Sequence, residues 1–412
     1  MIIRSQSGQE HFTVGGSMIR DLLKRSSWHL FGLIGGKVVS TLAFILLARS
    51  FAPAVFGQIL LFITFVTLSN TLGSFGLNQW YQKQKAVNKK KQLFGQVIEA
   101  RFLSMILAIL VVGVWIQTTS SFSFGTSLIL LAAFIPESFL SIIEGYYLVK
   151  KQPIYLVISN PLKMAFMLVP LLITSSNSLE LILIFYTLAS FIAMLWLFPW
   201  NQIKSLSFSI KRGFKTLADA SHYALLLTTS YAYSRGDQLI IRYTLSEAAL
   251  GIYGSAYRYL ESLSLLPSVL SQNLFHLSAQ KNLITKGHMY KILSIMTVLG
   301  IVTGIGLFLS AELLTTSLLG VEYQSAAALV KIFSGVVFLF FVNAPLATLV
   351  QSSDFLKSFL PWGIFNTVSN LALNILLIPM WGLAAAAWIM IFSEVFGLCI
   401  NLFFIRKLYR KQ

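Results

Sequence analysis

The sequence is poor in charged residues, and in acidic residues most of all. Only 11% of its 412 residues are Asp, Glu, Lys or Arg, 56% are hydrophobic, and the mean hydropathy is +0.76. Soluble globular proteins carry about 25% charged residues, so these values exclude that class and indicate a polytopic membrane protein. The net charge of +17 would suggest a nucleic-acid partner in a soluble protein. Here most of the excess positive charge lies in segments predicted to be cytoplasmic, as is typical of membrane proteins, and no nucleic-acid partner is expected.

The motifs of catalysis and cofactor binding are also missing. The single cysteine, Cys399, lies in the last apolar run, which excludes a disulfide framework. The five His residues are scattered, and the sequence contains no Cys/His metal spacing, no nucleotide-binding Gly-rich loop and no nucleophile elbow. The sequence therefore predicts a protein that is not an enzyme, with no cofactor and no metal site, and excludes ATP bound to this chain as its energy source.

Long apolar windows are what the sequence does have. A bilayer core requires about 20 apolar residues of helix to cross it. Windows of this kind lie at roughly 28–50, 56–78, 96–117, 126–148, 154–174, 180–200, 218–241, 249–272, 291–314, 325–350, 356–378 and 382–405. The predicted fold is an all-α polytopic membrane protein with about twelve transmembrane helices.

Basic residues between the windows predict the orientation. Lys and Arg concentrate in alternate segments, including both ends of the chain, while the opposite loops hold only Arg49 and Arg242. Under the positive-inside rule both termini are cytoplasmic and the number of spans is even. Residues 1–17 lack the apolar core of a signal peptide, so they are predicted to be a disordered extension of the cytoplasmic tail.

A short repeat divides the windows into two sets. Residues 50–57 (SFAPAVFG) align with residues 244–251 (TLSEAALG) at an offset of 194, and each segment opens an apolar window. An offset near half the chain predicts two six-helix lobes of the same orientation, as in transporters with parallel repeats. The expected divisions are a tail at 1–27, lobes at 28–200 and 218–405, a cytoplasmic linker at 201–217 and a tail at 406–412.

Charged residues inside apolar windows mark a candidate pathway. Arg235 and Asp237 lie within one window, and Arg258 and Glu261 lie within the next. A charge at the bilayer centre costs about 2.5–3.5 kcal/mol, so such residues usually face a bundle interior or an aqueous cavity. Helical spacing puts two sets on polar faces: Tyr231, Arg235, Gln238 and Arg242 on the first helix, and Tyr253, Tyr257, Arg258 and Glu261 on the second. The two faces are predicted to form part of the wall of a polar pathway.

Four stretches resemble a known group of transporters. LLARSFAPAVFGQI, SRGDQLIIRYTLSEAALGIYGSAYRYLE, LGVEYQSAAALVKIF and NTVSNLALNILLIPMWGLAAAAW are similar, in order and spacing, to segments of polysaccharide exporters of the MOP (multidrug, oligosaccharidyl-lipid, polysaccharide) superfamily. By length and window count the chain most resembles Wzx-type O-antigen flippases.

The resemblance implies a V-shaped pair of six-helix lobes around a central cavity, as in MATE transporters, and alternating access. The implied cargo is an undecaprenyl-pyrophosphate-linked oligosaccharide repeat unit, moved from the inner to the outer leaflet with coupling to H+ or Na+. The implied partners are membrane lipid, a polysaccharide polymerase and a chain-length regulator. A multidrug or cation exporter of the MATE branch, and an integral-membrane O-antigen polymerase or ligase, are the alternatives.

The candidate site residues follow from the charge of such a cargo. A pyrophosphate requires cationic partners, for which Arg offers bidentate donors and Lys a point charge. The substrate-binding candidates are Arg235, Arg258, Lys37, Lys331, Lys163, Tyr231 and Tyr257. The ion-coupling candidates are Asp237, Glu261, Glu137 and Glu394, because buried carboxylates carry protons in transporters.

Each set has a structural alternative. The cations and carboxylates could neutralise each other as ion pairs, and the Tyr residues near span ends could form an interfacial belt. Arg101, at the cytoplasmic end of its span, is predicted to extend its side chain to the membrane surface.

Overall fold

Every apolar window predicted from the sequence contains a helix. The computed structural model of the protein describes residues 35–87, 93–119, 122–150, 154–173, 178–205, 209–269, 271, 286–353 and 355–410. Regular structure within these residues is entirely helical. The predicted N-terminal tail, residues 1–27, lies outside them.

The helices fall into two sets along the chain. The first half forms α1 (35–50), α2 (Pro53–Ser74), α3 (Leu77–Val87), α4 (Leu93–Thr119), α5 (Phe124–Val149), α6 (Ile154–Phe166), α7 (Val169–Ile173) and α8 (Leu179–Leu197). The second half forms α9 (Ile210–Thr244), α10 (Glu247–Leu263), α11 (265–269), α12 (Lys286–Glu312), α13 (Ala326–Gln351), α14 (Leu356–Trp381) and α15 (Leu383–Arg410). A 3-10 helix at Trp200–Ser205 lies between them, and α9 takes up part of the segment predicted as a linker.

The apolar helices have the length that a membrane requires. Among the described residues, eight helices are long and apolar enough to cross a bilayer. The other windows hold helices that are broken, richer in charge or shorter in the described part of the chain. Large apolar side chains on the outer helices α12 and α14 are exposed, including Val302, Leu309 and Leu376. An exposed apolar surface of this kind is stable against lipid, because lipid tails are as apolar as the side chains.

One helix was not predicted. Phe75 and Gly76 both adopt positive φ, which ends α2, and the chain then continues as α3. Most of this segment lies between two apolar windows and it carries Lys83 and Lys85, so hydropathy predicts no membrane-spanning helix there. Its other face buries Trp80 against a cluster that includes residues of α4 and α5. An amphipathic helix with a buried aromatic face is stabilised by that packing in spite of its charges.

The packing of the first half recurs in the second. Helix α5 packs against α2 and α8, and α13, its counterpart at the repeat offset, packs against α10 and α15. The pair α6 and α8 corresponds in the same way to the pair α14 and α15. This recurrence supports the parallel repeat predicted from the sequence.

The two halves meet through exchanged contacts. Helix α1 packs against α10, where the hydroxyls of Thr41 and Ser262 are 2.8 Å apart, and the equivalent α9 packs against α2. Helices α2 and α10 pack closely along each other, so the two repeated turns face one another. This seam lies at the ends of the helices that the distribution of Lys and Arg predicts to be outside the cytoplasm.

Candidate substrate-binding cavity

A cavity of about 420 Å3 lies between the two halves of the protein. Its lining comes from α1, α2, α5, α6, α8, α9, α10 and α11, mostly from residues near the ends that the sequence places at the cytoplasm. The ionisable residues on its wall are Lys37, Glu137, Glu144, Lys163, Arg235, Arg258 and Glu261. Six of the eleven predicted site residues therefore lie on this wall, together with Glu144, which was not among them. Most of the charges fall into two groups.

The first group is a cluster of three cations around one carboxylate, Glu261. Lys37 Nζ and Arg235 Nη2 each lie 3.2 Å from Glu261 Oε1, and Arg258 Nη1 lies 2.8 Å from Oε2. All four side chains are partly exposed to the cavity. With three positive charges and one negative charge, the cluster has an excess of two positive charges.

Helix geometry and aromatic contacts hold this cation cluster. Arg258 and Glu261 are three residues apart on α10, so they share one helix face. The Arg258 guanidinium carbon lies 3.5 Å from the centre of the Phe44 ring, and that of Arg235 lies 5.6 Å from the Tyr257 ring. Rings at these distances attract the cations and fix their side chains without neutralising their charge.

The second charged group is a buried pair on the opposite wall. Lys163 Nζ donates to Glu137 Oε1 at 2.7 Å, and the same oxygen accepts from Tyr186 at 3.1 Å and Ser190 at 2.8 Å. Both side chains are at most one-tenth exposed. The charges of Lys163 and Glu137 are thus mutually compensated, unlike those of the cation cluster.

Four polar side chains that take part in no ion pair within the described residues also line this second wall. Asn70 of α2, Ser141 and Glu144 of α5, and Asn160 of α6 all line the cavity. Glu144 is exposed to the cavity, although it is not among the site residues predicted from the sequence. The sequence signal was present, since Glu137, Ser141 and Glu144 follow helical spacing on one face of α5.

The predicted exposure of Arg101 at the membrane surface is wrong. Arg101 was expected to extend toward the membrane surface, but its side chain is 0% exposed. Its Nη2 donates to Asn70 Oδ1 at 2.7 Å and its Nε donates to the Ser138 carbonyl at 3.0 Å. The short side chains around it, including Gly73, leave space for the guanidinium inside the helix bundle. Arg101 therefore lies directly behind the cavity wall.

The tyrosine candidates do not line this cavity. Tyr231 donates to the Thr64 carbonyl at 2.7 Å, and Tyr257 donates to the Ser234 carbonyl at 3.2 Å. Both are buried between helices, as are Tyr253 and Tyr259, so the interfacial belt favoured for tyrosines near span ends is wrong for these residues. Each hydroxyl satisfies a buried backbone or side-chain acceptor instead.

The polar face predicted on α9 is divided between different surroundings. Of its members only Arg235 lines the cavity, because Gln238 contacts Thr64 of α2 and Arg242 pairs with Glu247 at the far end of the helix. A helix of this length passes several neighbours, so residues sharing one face need not share one environment.

Two candidate carboxylates are buried and accept hydrogen bonds from uncharged donors. Asp237 accepts hydrogen bonds from the Tyr253 hydroxyl and the Gln238 backbone N–H. Glu394 accepts from Tyr233 at 2.7 Å and from the Asn343 amide at 2.9 Å. No ion pair within the described residues involves either carboxylate, which separates them from Glu137 and Glu261.

Lys331 lies apart from the other candidates. Its Nζ is 2.8 Å from Glu312 Oε1, with both side chains more than a third exposed, and it is absent from the cavity lining. Within the described residues, no group of three or more His, Cys, Asp or Glu side chains could hold a metal ion.

The family of the chain follows from its sequence match. Residues 22–280, more than half of the chain, match the model of a family described as polysaccharide biosynthesis protein. The chain belongs to the polysaccharide biosynthesis protein family. A search of curated proteins found no match.

Solved structures share the fold. The lipid II flippase MurJ in its inward closed conformation superposes with a TM-score of 0.75 at 11% identity, over 91% of this chain and 87% of that chain. An inward-facing multidrug resistance MATE family transporter of the MOP superfamily gives a TM-score of 0.67 at 11% identity, over 91% and 96% of the two chains. A MOP superfamily transporter from Pyrococcus furiosus, described as having a binding pocket of reverse polarity, gives 0.61 at 12% identity, over 95% and 96%. These similarities confirm the predicted all-helical MOP fold.

Proposed function

We propose that this member of the polysaccharide biosynthesis family is a flippase. Its cargo would be an undecaprenyl-pyrophosphate-linked oligosaccharide repeat unit, of O-antigen or a similar surface polysaccharide, carried across the bacterial inner membrane by alternating access. The observation that supports this proposal best is the cation cluster around Glu261, with its excess of two positive charges. A pyrophosphate supplies the compensating negative charge, and Arg side chains match its oxygens with paired N–H donors.

The position of the cavity supports uptake from the cytoplasmic leaflet. The cation cluster lies toward the predicted cytoplasmic ends of the helices, while α2 and α10 pack together at the other ends. A cargo entering this cavity would come from the side where lipid-linked saccharides are assembled. Release on the opposite side would require α2 and α10 to separate.

The alternatives receive less support from the same residues. A multidrug or cation exporter would favour acidic and aromatic lining, whereas three clustered cations repel a cationic drug. A polymerase or ligase is expected to carry a large catalytic loop on the non-cytoplasmic side. Two connections on that predicted side are short, from Thr119 to Phe124 and from Thr244 to Glu247.

Glu394 is the best candidate for coupling transport to H+ or Na+. Its carboxylate has neutral hydrogen-bond donors and is buried inside the second half of the protein. The nearby oxygens Asn374 Oδ1 and Asn401 Oδ1 are buried without a donor among the described residues. Buried oxygens without donors favour binding of a proton or small cation, since an unsatisfied acceptor costs free energy. Glu137 and Glu261 are less suited to this role because lysine and arginine already neutralise them.

The test of the flippase proposal is a transport assay in proteoliposomes. The probe is a fluorescent undecaprenyl-pyrophosphate disaccharide, and translocation is measured by its loss of accessibility to a membrane-impermeant quencher. Arg258→Ala should slow translocation about tenfold, because one charge-assisted phosphate contact is lost. Arg258→Lys should be slowed less, because it keeps the charge but not the paired donors.

The Arg258→Ala variant distinguishes a loss of transport from a loss of folding. Glu261 would keep Lys37 and Arg235 as partners, so Arg258→Ala does not leave a buried carboxylate alone. The matched control is Lys331→Ala, which removes a lysine outside the cavity. An equal loss of transport in both variants, or none in Arg258→Ala at normal protein abundance, would contradict the proposed role of the cation cluster.

A further inference from the structure

The wall opposite the cation cluster has the donors and acceptors that a sugar requires. Asn70, Ser141, Glu144 and Asn160 line it, and Glu144 has no ion pair or hydrogen bond among the described residues. The one lysine on this wall, Lys163, is already paired with Glu137. The wall is therefore polar and bears a carboxylate without a direct hydrogen-bond or ion-pair partner in the described part of the chain, whereas the facing wall is cationic.

The orientation of the Asn70 amide is set from behind the wall. Arg101 Nη2 donates to Asn70 Oδ1 at 2.7 Å, so this oxygen is already occupied as an acceptor. The Asn70 NH2 group has no acceptor among the described residues, while the side chain borders the cavity. Arg101 is fully buried and also bonded to the Ser138 carbonyl, which makes it a positioning residue for an N–H donor at the cavity surface.

We propose that this wall binds the saccharide of the cargo, and that Glu144 selects saccharides whose first sugar is neutral or carries an amino group over those whose first sugar carries a carboxylate. The proposal rests on the proposed flippase function. In such a cargo the first sugar is bonded directly to the pyrophosphate. A pyrophosphate at the cation cluster would therefore bring that sugar to the facing wall of the same cavity.

The chemistry of the wall leads to this selectivity. Sugar hydroxyls donate to carboxylates and accept from amide N–H groups, so Glu144 and Asn70 offer complementary contacts. A protonated amino group would add a charge-assisted hydrogen bond to Glu144. A sugar carboxylate would instead meet a like charge in a space of reduced dielectric, which weakens its binding.

The experiment compares two probes in proteoliposomes containing the full-length protein. Both are fluorescent undecaprenyl-pyrophosphate disaccharides, one with a neutral hexose as its first sugar and one with the corresponding hexuronic acid. The wild-type protein should move the neutral probe faster. Glu144→Gln should reduce the ratio of the two rates about tenfold, which is the effect expected from removing one nearby like charge. Lys331→Gln is the control and should leave the ratio unchanged.

A second pair of variants separates binding by Asn70 from its structural role. Asn70→Asp keeps the acceptor for Arg101 and can pair with it, but removes the N–H donor. It should keep the thermal stability of the wild-type protein and move the neutral probe more slowly. Asn70→Ala should lose both stability and rate, because the Arg101 donor is then left unsatisfied.

The outcomes distinguish this inference from the flippase proposal. If the wild-type protein moves neither probe faster than protein-free vesicles, the flippase function fails and the inference fails with it. If it moves both probes and Glu144→Gln leaves the ratio of rates unchanged, the saccharide selectivity is overturned while the flippase function stands. A wild-type rate for Asn70→Asp would remove Asn70 from the saccharide site.

Discussion

Gly57 and Gly251 face each other across the contact between α2 and α10. A Cβ atom on Gly57 would lie 3.1 Å from the Gly251 nitrogen, and one on Gly251 would lie 3.1 Å from the Gly57 nitrogen. Each added Cβ would also overlap a carbonyl oxygen, of Glu247 in the first case and of Pro53 in the second. The two residues are equivalent under the repeat offset of 194, so the contact has local two-fold symmetry. Only glycine at both positions allows the backbones to approach this closely.

Gly57→Leu should therefore open the contact between α2 and α10. Overpacking a close contact costs about 1–3 kcal/mol, enough to shift a balance between two conformations. Spin labels on the ends of α2 and α10 should show longer distances in Gly57→Leu and in Gly251→Leu. Gly306→Leu is the control, because a Cβ at Gly306 has no neighbouring atom within 4 Å. Unchanged distances in both variants would mean that the seam does not open when these glycines are replaced.

Glu261→Gln should destabilise the protein by leaving three cations without their carboxylate. Loss of one partner from a charged cluster typically costs about 2 kcal/mol or more, less where water reaches the site. The melting temperature of the purified protein should fall, and added pyrophosphate should raise it more in the variant than in the wild type. Combining Glu261→Gln with Lys37→Gln should recover part of the loss. A decrease that neither pyrophosphate nor the second substitution reverses would indicate a role other than charge balance.

Glu394→Gln should remove the dependence of transport on an ion gradient. The substitution keeps the size of the side chain but loses the charge that a proton or Na+ would neutralise. Transport of the lipid-linked probe should then be equally fast with and without a proton or sodium gradient. Glu312→Gln, which changes a glutamate exposed near the end of α12, should retain the dependence. If Glu394→Gln responds to the gradient like the wild type, coupling through Glu394 is excluded.

Both termini should lie in the cytoplasm, from the distribution of Lys and Arg along the chain. Alkaline phosphatase fused after Gln412 should be inactive, and a fluorescent protein at the same position should be fluorescent. The complementary control is a fusion in the turn at Ser246, on the opposite predicted side. Active phosphatase after Gln412 would reverse the orientation and place the cavity on the outer side.

The fold was largely predictable because long apolar segments of the sequence directly indicate membrane-spanning helices. A helix in lipid must satisfy its own backbone hydrogen bonds, so each apolar window of sufficient length indicates a helix. Helix α3 could not be found in this way, since its stability comes from Trp80 buried on one side of a charged segment. Its partners are distant in the sequence, and no local pattern identifies them.

The site was only partly predictable for a related reason. The rule that charges within apolar windows mark a site selected Arg235, Arg258 and Lys37, and the structure brings these three together at Glu261. The same rule selected Lys331, which lies elsewhere. The free-energy cost of a charge in the bilayer predicts that the charge has a partner, but it does not predict which residue that partner is. The role of Arg101 behind Asn70 depends on contacts between helices and has no signature along the chain.

Helix α9 belongs to the second half of the chain, but the contacts at its two ends connect it to the first half. Its 35 residues span about 52 Å at 1.5 Å per residue, well beyond the bilayer core. Near its start, Arg212 forms two hydrogen bonds to Glu99 of α4, at 2.8 and 2.6 Å. At its other end, Arg242 binds Glu247, whose second oxygen accepts from Gln58 of α2 at 2.6 Å.

Helix α9 is thus bonded to α4 of the first half near its start and, through Glu247 of α10, to α2 of the first half near its end. A rigid rotation of one half against the other would stretch the Arg212–Glu99 contact at one end of α9 and the Arg242–Glu247–Gln58 contacts at its other end. If the protein works by alternating access, as proposed, one of these two sets of contacts has to break before the cavity can open to the other side. Helix α9 would then couple the two ends of the cavity, so that both do not open together.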